Sequence, residues 1–284
     1  MVQLAGVSRV ALGDTSVTYL PDGGGNAVPT ALYPGSDEAS WQKYRYFLDE
    51  EGNFMTTIGG FFIETPDHRL IVDTGIGPHR FDFPGFGPFY GGRYLESLEQ
   101  AGVDRNRVTD VLFTHLHLDH CGWTTIEVEG ERRLTFPNAR HLVTQKEWDF
   151  WYGGDNPAGP HPEHVQRPLE GRIEWLAEGE EVIPGATVLP TPGHTPGHVS
   201  LLIQDGEQRL YLVADVLNGP VQLQERQWGV AFDVDPEQAR ATRDALYPEL
   251  VRPGTLVGAN HFCDQVFGCI VEEDGRRRWK PLPG

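Results

Sequence analysis

Three histidines and one aspartate fall within six residues, from His115 to His120, directly after the apolar run Val108–Thr114. The apolar run predicts a buried strand. Because residues two apart point to the same side of an extended chain, His115 and His117 can converge on one point. The turn that follows offers Asp119 and His120 to a second point nearby. Imidazole and carboxylate are ligands that a divalent ion such as Zn²⁺ accepts readily, so this segment predicts a metal site at the end of a strand.

Three more candidate ligands each lie at or just beyond the end of a predicted strand, where a sheet scaffold presents functional groups. Asp215 follows the apolar strand Arg209–Ala214, and His261 lies a few residues after Thr255–Val257. His194 belongs to the segment Thr-Pro-Gly-His-Thr-Pro-Gly-His. Taken singly, each would be an ordinary loop residue. Their combination with the histidine-rich segment indicates one common site.

The order and rough intervals of these seven residues resemble the pattern of the metallo-β-lactamase-fold superfamily. Asp73, in Ile-Val-Asp-Thr-Gly, is similar to the early aspartate of that family, which supports the metal site from behind. The resemblance covers about Thr56 to His261. It implies an α/β fold (α+β) with four αββα layers, in which two mixed sheets pack face to face between outer helices. A single domain spanning residues 1–284 is expected, with its core motifs at about 56–261.

The resemblance also implies two divalent metal ions that share one bridging ligand. Zinc is the first expectation, with manganese, iron and cobalt left open because availability decides among them. A bridging hydroxide would then attack a carbonyl or phosphoryl centre. Iron-binding family members that reduce oxygen usually carry Glu where His117 stands, which argues against a redox role. The implied ligands are His115, His117 and His194 for the first ion, Asp119, His120 and His261 for the second, and Asp215 for both.

Four residues receive supporting roles. Asp119 is either a proton shuttle or a ligand alone, and Asp73 is expected to orient a ligand imidazole. His198 is expected to be a buried supporting histidine rather than a ligand. Asn218, three residues after Asp215, is a candidate hydrogen-bond donor to a substrate carbonyl. Quorum-quenching lactonases of the family commonly carry tyrosine at the matching place, so Asn218 is a departure that puts the identity of this donor in doubt.

Aromatic residues in Gly- and Pro-rich loops are candidates for the walls of a substrate pocket, although each alone could equally belong to the core. They are Phe83, Phe86, Phe89, Tyr90, Trp123, Trp148, Trp151 and Tyr152.

The segments His-Leu-His-Leu-Asp-His-Cys-Gly-Trp and Ala-Asp-Val-Leu-Asn-Gly-Pro-Val-Gln resemble the lactonase and organophosphate-hydrolase-like branch most. The expected reaction is hydrolysis of a small ester, first of all a lactone such as an N-acyl homoserine lactone. An organophosphate triester hydrolase or arylesterase using the same site is the alternative. A β-lactamase and a non-catalytic metal-binding protein are further alternatives.

Composition limits the partners. The chain carries 41 acidic against 23 Lys and Arg residues, a net charge of −18, which argues against nucleic-acid binding. No apolar run approaches the roughly 18 residues of a membrane span, and no secretory signal is recognised, so a cytoplasmic enzyme acting on a small molecule is expected. The three cysteines are not expected to form a disulfide scaffold. The oligomeric state is left open by the sequence; the family resemblance alone suggests a homodimer through the N-terminal loops.

Local patterns give further expectations. Met55–Glu64 and Arg69–Val72 predict a hairpin, and Asp235-Pro236 predicts the start of a helix that ends at about Leu246 or Leu250. By composition, Pro21–Pro29 and Ile76–Gly92 are expected to be loops. Glu163–Leu176 is expected to be helical.

Overall fold

The structure, a computed structural model, describes residues 2–154 and 156–283. Its strands are β1 (Ser8–Leu12), β2 (Thr15–Ala27), β3 (Phe54–Glu64), β4 (Arg69–Val72), β5 (Arg80–Phe83), β6 (Gly87–Tyr90), β7 (Asp110–Leu112), β8 (Thr125–Val128), β9 (Glu131–Leu134), β10 (Arg140–Thr144), β11 (Ile173–Leu176), β12 (Glu181–Ile183), β13 (Ala186–Pro190), β14 (Val199–Asp205), β15 (Gln208–Leu212), β16 (Thr255–Gly258), β17 (Phe267–Glu273) and β18 (Arg276–Pro281).

Most of the helices are short, and the longest comes near the end of the chain. They are α1 (Pro29–Leu32), α2 (Glu38–Trp41), α3 (Tyr94–Gln100), α4 (Leu118–Cys121), α5 (Gln145–Trp151), α6 (Arg167–Leu169) and α7 (Pro236–Leu250). The start of α7 is as predicted, because Asp235 caps it by accepting a hydrogen bond from the backbone of Gln238, and Pro236 follows. Among the described residues, no helix is long and apolar enough to cross a membrane.

The strands form two large mixed sheets and one separate hairpin. The first sheet has nine strands in the order β11-β10-β7-β4-β3-β2-β6-β5, with β1 paired to β2. The second has seven strands in the order β12-β13-β14-β15-β16-β17-β18, and β8 pairs with β9 alone. The pairs β4–β7, β7–β10 and β15–β16 are parallel, so their carboxyl ends meet at one edge of each sheet.

Alternation along the strands builds the layers. Leu70 and Val72 face inward and pack against the second sheet, while Ile71 between them packs under α3 and α5. On the second sheet Leu212 faces inward, whereas Tyr211 packs outward under α7. Both faces of these strands are therefore buried, which explains their continuous apolar character. The result is the predicted αββα sandwich.

The predicted loop at Pro21–Pro29 is wrong, because β2 continues to Ala27. A β-bulge between Pro21 and Gly23 accommodates the proline, which has no backbone N–H to donate. Gly23 then runs so close to β6 that a Cβ atom there would lie 1.9 Å from the Tyr90 carbonyl oxygen. Glycine at this position allows two strands of a sheet to approach closely. Composition alone cannot distinguish this use of glycine from its use in a turn.

Two other expectations also need correction. The segment Ile76–Gly92 is not a loop throughout, because it contains the hairpin β5–β6, and β6 pairs with β2. Glu163–Leu176 is not one helix: a short π-helical turn at Pro162–Gln166 and α6 give way to β11, an edge strand parallel to β10. The hairpin of β3 and β4 is confirmed.

Candidate metal centre and active site

The candidate ligands collect at the carboxyl ends of strands from both sheets. His115 and His117 follow β7 in the first sheet, and Asp119 and His120 lie in α4 just beyond. The other three follow strands of the second sheet, His194 after β13, Asp215 after β15 and His261 after β16. Loops that are separated by up to about half the chain thus meet because the two sheets pack face to face.

His115, His117 and His194 form the first group, and all three are buried. His115 Nε2 lies 3.0 Å from His117 Nδ1, and His194 Nε2 lies 2.9 Å from the same atom. One nitrogen from each ring therefore points to a common centre, and the three nitrogens lie within 4.8 Å of one another.

Asp119, His120 and His261 form the second group, also with ligand atoms within 4.8 Å of one another. The Asp215 carboxylate lies between the two groups. Its Oδ1 is 3.1 Å from both His120 Nε2 and His261 Nε2, and its Oδ2 is 3.3 Å from His194 Nε2 on the other side. The structure thus brings together all seven residues that the sequence singled out as ligands.

The tautomers of three rings show whether a cation fits here. In each ring Nδ1 faces a protein acceptor and therefore carries the hydrogen, so the lone pair of the neutral ring is on Nε2 and faces the Asp215 carboxylate. A lone pair facing a carboxylate is repulsive unless a cation lies between them, and His120 Nε2 has no hydrogen-bond partner within the described part of the chain. The donor set fits divalent cations. The three pairs are His120 with Asp73, His194 with Asp233, and His261 with the Thr57 carbonyl, all at 2.9 Å.

Charge and burial oppose each other in the cluster. Burial lowers the pKa of His115 and His117 well below the usual range, so both stay neutral, as metal ligation requires. Burial also disfavours the charged form of His120, but the carboxylates of Asp215 and Asp119 outweigh it and raise the pKa. For Asp215, burial favours the neutral acid, yet His261 and His120 hold its pKa well below the usual range. The buried Asp215 carboxylate therefore stays ionised among imidazole nitrogens, and such a site attracts cations.

A solvent-open cavity lies directly on this cluster, with about 600 Å³ of empty space when the open solvent at its mouth is included. Its walls are mainly apolar, and no Lys or Arg occurs among the described residues that line it. The lining consists of Leu32, Thr56, Ile76, Phe83, Phe89, His117, Leu118, Asp119, Ala158, His194, Asp215, Asn218, Val230, Phe232 and His261.

A family model described as the metallo-beta-lactamase superfamily matches residues 60–257. The chain belongs to the metallo-β-lactamase superfamily. An N-acyl homoserine lactonase from Bacillus sp. is 26% identical over 227 residues, which cover 74% of this chain and 83% of that protein. Among solved structures, the hydrolase AbOPH of the beta-lactamase superfamily aligns over 99% of both chains with a TM-score of 0.82 and 26% identity. The dizinc quorum-quenching lactonase AidC aligns over 99% of both chains with a TM-score of 0.84 and 22% identity.

These similarities confirm the family and the branch that the motifs predicted. Asp73 stands behind the cluster, as its resemblance to the early aspartate of the superfamily implies. Its carboxylate holds His120 and also accepts hydrogen bonds from the backbone and hydroxyl of Thr114, each at 2.8 Å. Asp73 adopts a left-handed φ of 61°, a conformation that non-glycine residues seldom take. His198 is less available as a ligand, because its Nε2 accepts the Asp215 backbone N–H at 3.1 Å.

The aromatic candidates divide between cavity and scaffold. Phe83 and Phe89 line the cavity, but Phe86, Trp123 and Trp151 lie outside its lining. Phe86 packs on Phe232, with ring centroids 5.5 Å apart. The indole N–H groups of Trp123 and Trp151 donate to the buried carboxylates of Asp22 and Glu147, so these rings are part of the supporting structure.

Asn218 lines the cavity beside the carboxylate that the two groups share. Its Nδ2 donates one of its two hydrogens to Asp215 Oδ2 at 2.6 Å. Its Oδ1 is buried and finds no partner among the residues that the structure describes. The role of donor to a substrate carbonyl stays a prediction, and the structure adds a free acceptor on the same amide.

Two carboxylates that support the site were not identified from the sequence. Asp233 accepts from His194 Nδ1 and also from the backbone of Val230, which lines the cavity. Asp22 accepts from the backbone of Ile76, Gly92 and neighbouring residues, and so anchors both ends of the segment that carries β5–β6. Asp22 lies in a Pro-Asp-Gly segment typical of turns, and Asp233 precedes a helix start; neither context signals a buried carboxylate.

Proposed function

We propose that this chain is a hydrolase that uses two divalent metal ions to cleave a small neutral ester, with an N-acyl homoserine lactone as its substrate. The observation that carries the proposal is the Asp215 carboxylate between two ligand groups at the base of an apolar cavity. His115, His117 and His194 would hold one ion, and Asp119, His120 and His261 the other, with Asp215 shared. Zinc suits the nitrogen and oxygen donors.

Two such ions, when bound, lower the pKa of water towards neutrality and polarise the oxygen of a substrate carbonyl. The protein's own groups supply the rest. Asp119 is 22% exposed at its side chain and lines the cavity, whereas the other carboxylate of the cluster, Asp215, is 5% exposed. The Asp119 carboxylate is therefore the group placed to take a proton from the attacking water and to pass it to the departing alkoxide oxygen when the ester bond breaks.

The cavity supports a neutral, partly apolar substrate. Phe83, Phe89 and Phe232 offer aromatic surface for an acyl chain and exclude water from the reacting bond. Because no Lys or Arg occurs among the described lining residues, the anionic group of a phosphodiester or of a carboxylate-bearing β-lactam finds no charged side chain of opposite sign along the walls. The free Oδ1 of Asn218 is complementary to a substrate N–H, which the amide of an N-acyl homoserine lactone provides.

A phosphotriester is a second candidate substrate. It is also neutral and apolar, and the chain is 26% identical to the hydrolase AbOPH over almost its whole length. A phosphotriester has no N–H to offer Asn218, so we expect it to be the poorer substrate.

Turnover of a substrate panel tests the proposal. Metal-loaded protein is assayed with N-acyl homoserine lactones of short and long acyl chains, with γ-lactones that lack the amide, and with a chromogenic phosphotriester. His117→Ala serves as the metal-site control. We expect the highest kcat/KM for amide-bearing lactones and loss of activity in the variant. Absence of lactone turnover by metal-loaded wild type would refute the proposal.

A further inference from the structure

Glu147 is a fully buried carboxylate that lies outside the ligand set. It belongs to the first turn of α5 and has no exposed surface. Its two oxygens accept four hydrogen bonds, which saturates an ionised carboxylate. Oε1 accepts from the Leu116 backbone at 3.0 Å and the Trp151 indole at 2.7 Å; Oε2 accepts from the Thr195 hydroxyl at 2.7 Å and the Gly197 backbone at 2.9 Å.

Three of these donors come from the two loops that carry the first ligand group, and the fourth comes from α5 itself. Leu116 lies between His115 and His117, and Thr195 follows His194 directly. The fourth donor, Trp151, also packs its ring against His117 with centroids 5.2 Å apart. One carboxylate thus connects a loop of the first sheet with a loop of the second at the point where their imidazoles meet.

The loop that contains Gly197 packs closely against the start of α5. Gly197 lies so near the start of α5 that a Cβ atom there would be 2.3 Å from the Glu147 backbone nitrogen. The Thr144 hydroxyl, which caps α5, also donates to the Gly197 carbonyl at 2.8 Å. The sequence Thr-Gln-Lys-Glu from Thr144 to Glu147 matches an ordinary helix-capping box, and this match conceals the second role of the glutamate.

We propose that Glu147 is a positioning residue that holds His117 and His194 at the spacing required for the first metal ion, and thereby sets the affinity for that ion. This inference rests on the proposed function for the presence of a metal. His117 Nδ1 and His194 Nε2 lie 2.9 Å apart, although their rings belong to two different loops. Near these rings the Glu147 carboxylate binds both loops, and the Thr144 hydroxyl binds the second one at Gly197. Loss of such supporting hydrogen bonds typically weakens metal affinity about 10–100-fold.

The substitution Glu147→Gln isolates this role because it keeps size and shape. Three of the four partners, the Leu116 and Gly197 backbone N–H groups and the Trp151 indole, can only donate. A glutamine NH₂ on either side therefore faces at least one donor and loses at least one of the four hydrogen bonds. Asp110→Asn is a matched control. Asp110 is also a buried carboxylate, at the opposite end of β7, where it pairs with Arg140 and touches no ligand loop.

The test measures zinc affinity by competition with a chromogenic chelator, and amide hydrogen exchange in the metal-free proteins. For Glu147→Gln we expect about 10–100-fold weaker binding of one of the two zinc ions, and faster exchange at the Leu116 and Gly197 amides. Asp110→Asn should bind zinc like wild type.

Two results would overturn the inference: zinc affinity within twofold of wild type in folded Glu147→Gln, or equal losses in both variants. If Glu147→Gln does not fold, Thr195→Val removes one donor while retaining the carboxylate, and should weaken zinc binding several-fold; an unchanged affinity would count against the proposal. Wild type that binds no zinc would instead refute the proposed function.

Discussion

The metal-ligand cluster and the cavity wall above it are built on different principles. In the cluster, rings such as His120, His194 and His261 are fixed by a hydrogen bond to a buried acceptor. In the wall, Phe83, Phe89 and Phe232 contact one another through their rings, with centroids 5.8–6.2 Å apart. The cluster depends on directional bonds and charge, whereas the wall depends on shape. We therefore expect changes in the cluster to abolish activity and changes in the wall to redirect it.

The largest effect is expected from Asp215→Asn. The substitution removes the shared charge that faces both ligand groups, so kcat/KM for a lactone should fall at least about 10³-fold. Steady-state kinetics of the metal-supplemented variant measure this loss. Asp244→Asn, which alters an exposed ion pair with Arg226, is the control and should be neutral. A loss of less than about tenfold in Asp215→Asn would show that the cluster tolerates change as the wall does.

A buried histidine outside the cluster sharpens the comparison. His141 on β10 pairs with no carboxylate in the part of the chain that the structure describes, and burial lowers its pKa to about 4. As pH falls from about 6.5 to about 4, His141 becomes protonated in the unfolded chain but stays neutral in the folded protein. The contribution of the neutral, buried ring to the free energy of unfolding is therefore complete above about pH 6.5, and roughly 3 kcal/mol of it is lost by about pH 4.

Chemical denaturation at several pH values measures this contribution. His141→Gln should show a shallower decline between pH 6.5 and pH 4 than wild type, since the carboxylates titrate alike in both proteins. Equal slopes in the two proteins would mean that burial of this ring does not govern its protonation.

Prediction from the sequence succeeds where a pattern is local. His115 to His120 follow a single apolar strand, so one short segment predicts both their position at a strand end and their suitability as metal ligands. The hairpin of β3 and β4 is equally local. Prediction failed for β2, because its Gly-rich half is stabilised by pairing with β6, more than sixty residues further along the chain. Composition describes a segment without its neighbours.

The supporting groups were the hardest to foresee. Trp123 and Trp151 have the appearance of pocket residues, yet their N–H groups reach Asp22 and Glu147, whose burial depends on the complete fold. A carboxylate in a turn-like or helix-start sequence is normally solvated, so nothing in the order of residues marks these as buried. The cavity residue Phe232 was missed for the same reason, since it reaches Phe83 and Phe89 only in the folded chain.

A moderate, selective effect is expected at the wall. Phe232→Ala removes aromatic surface that an acyl chain would cover, so kcat/KM for a long-chain lactone should fall about tenfold, with little change for a short-chain lactone. Trp175→Ala, an exposed aromatic on the edge strand β11, is the control and should alter neither. If kcat/KM fell equally for long-chain and short-chain lactones, Phe232 would affect the metal-ligand cluster rather than the binding of the acyl chain.

The smallest effect is expected at Asn218, which lies where cluster and wall meet. Asn218→Ala removes the free acceptor Oδ1, so activity on amide-bearing lactones should fall several-fold more than activity on γ-lactones without the amide. The ratio of the two kcat/KM values cancels any disturbance of Asp215, which Asn218 also contacts. An unchanged ratio would exclude recognition of a substrate N–H at this position.

The central claim is that Asp215 joins two metal-binding groups into one centre. The most direct measurement is a crystal structure of the metal-loaded protein with anomalous scattering recorded at the zinc edge. We expect two anomalous peaks, one on each side of the Asp215 carboxylate, within ligand distance of the two histidine groups. A map with no peak at this cluster, or with a single peak that leaves His120 and His261 without metal, would contradict it.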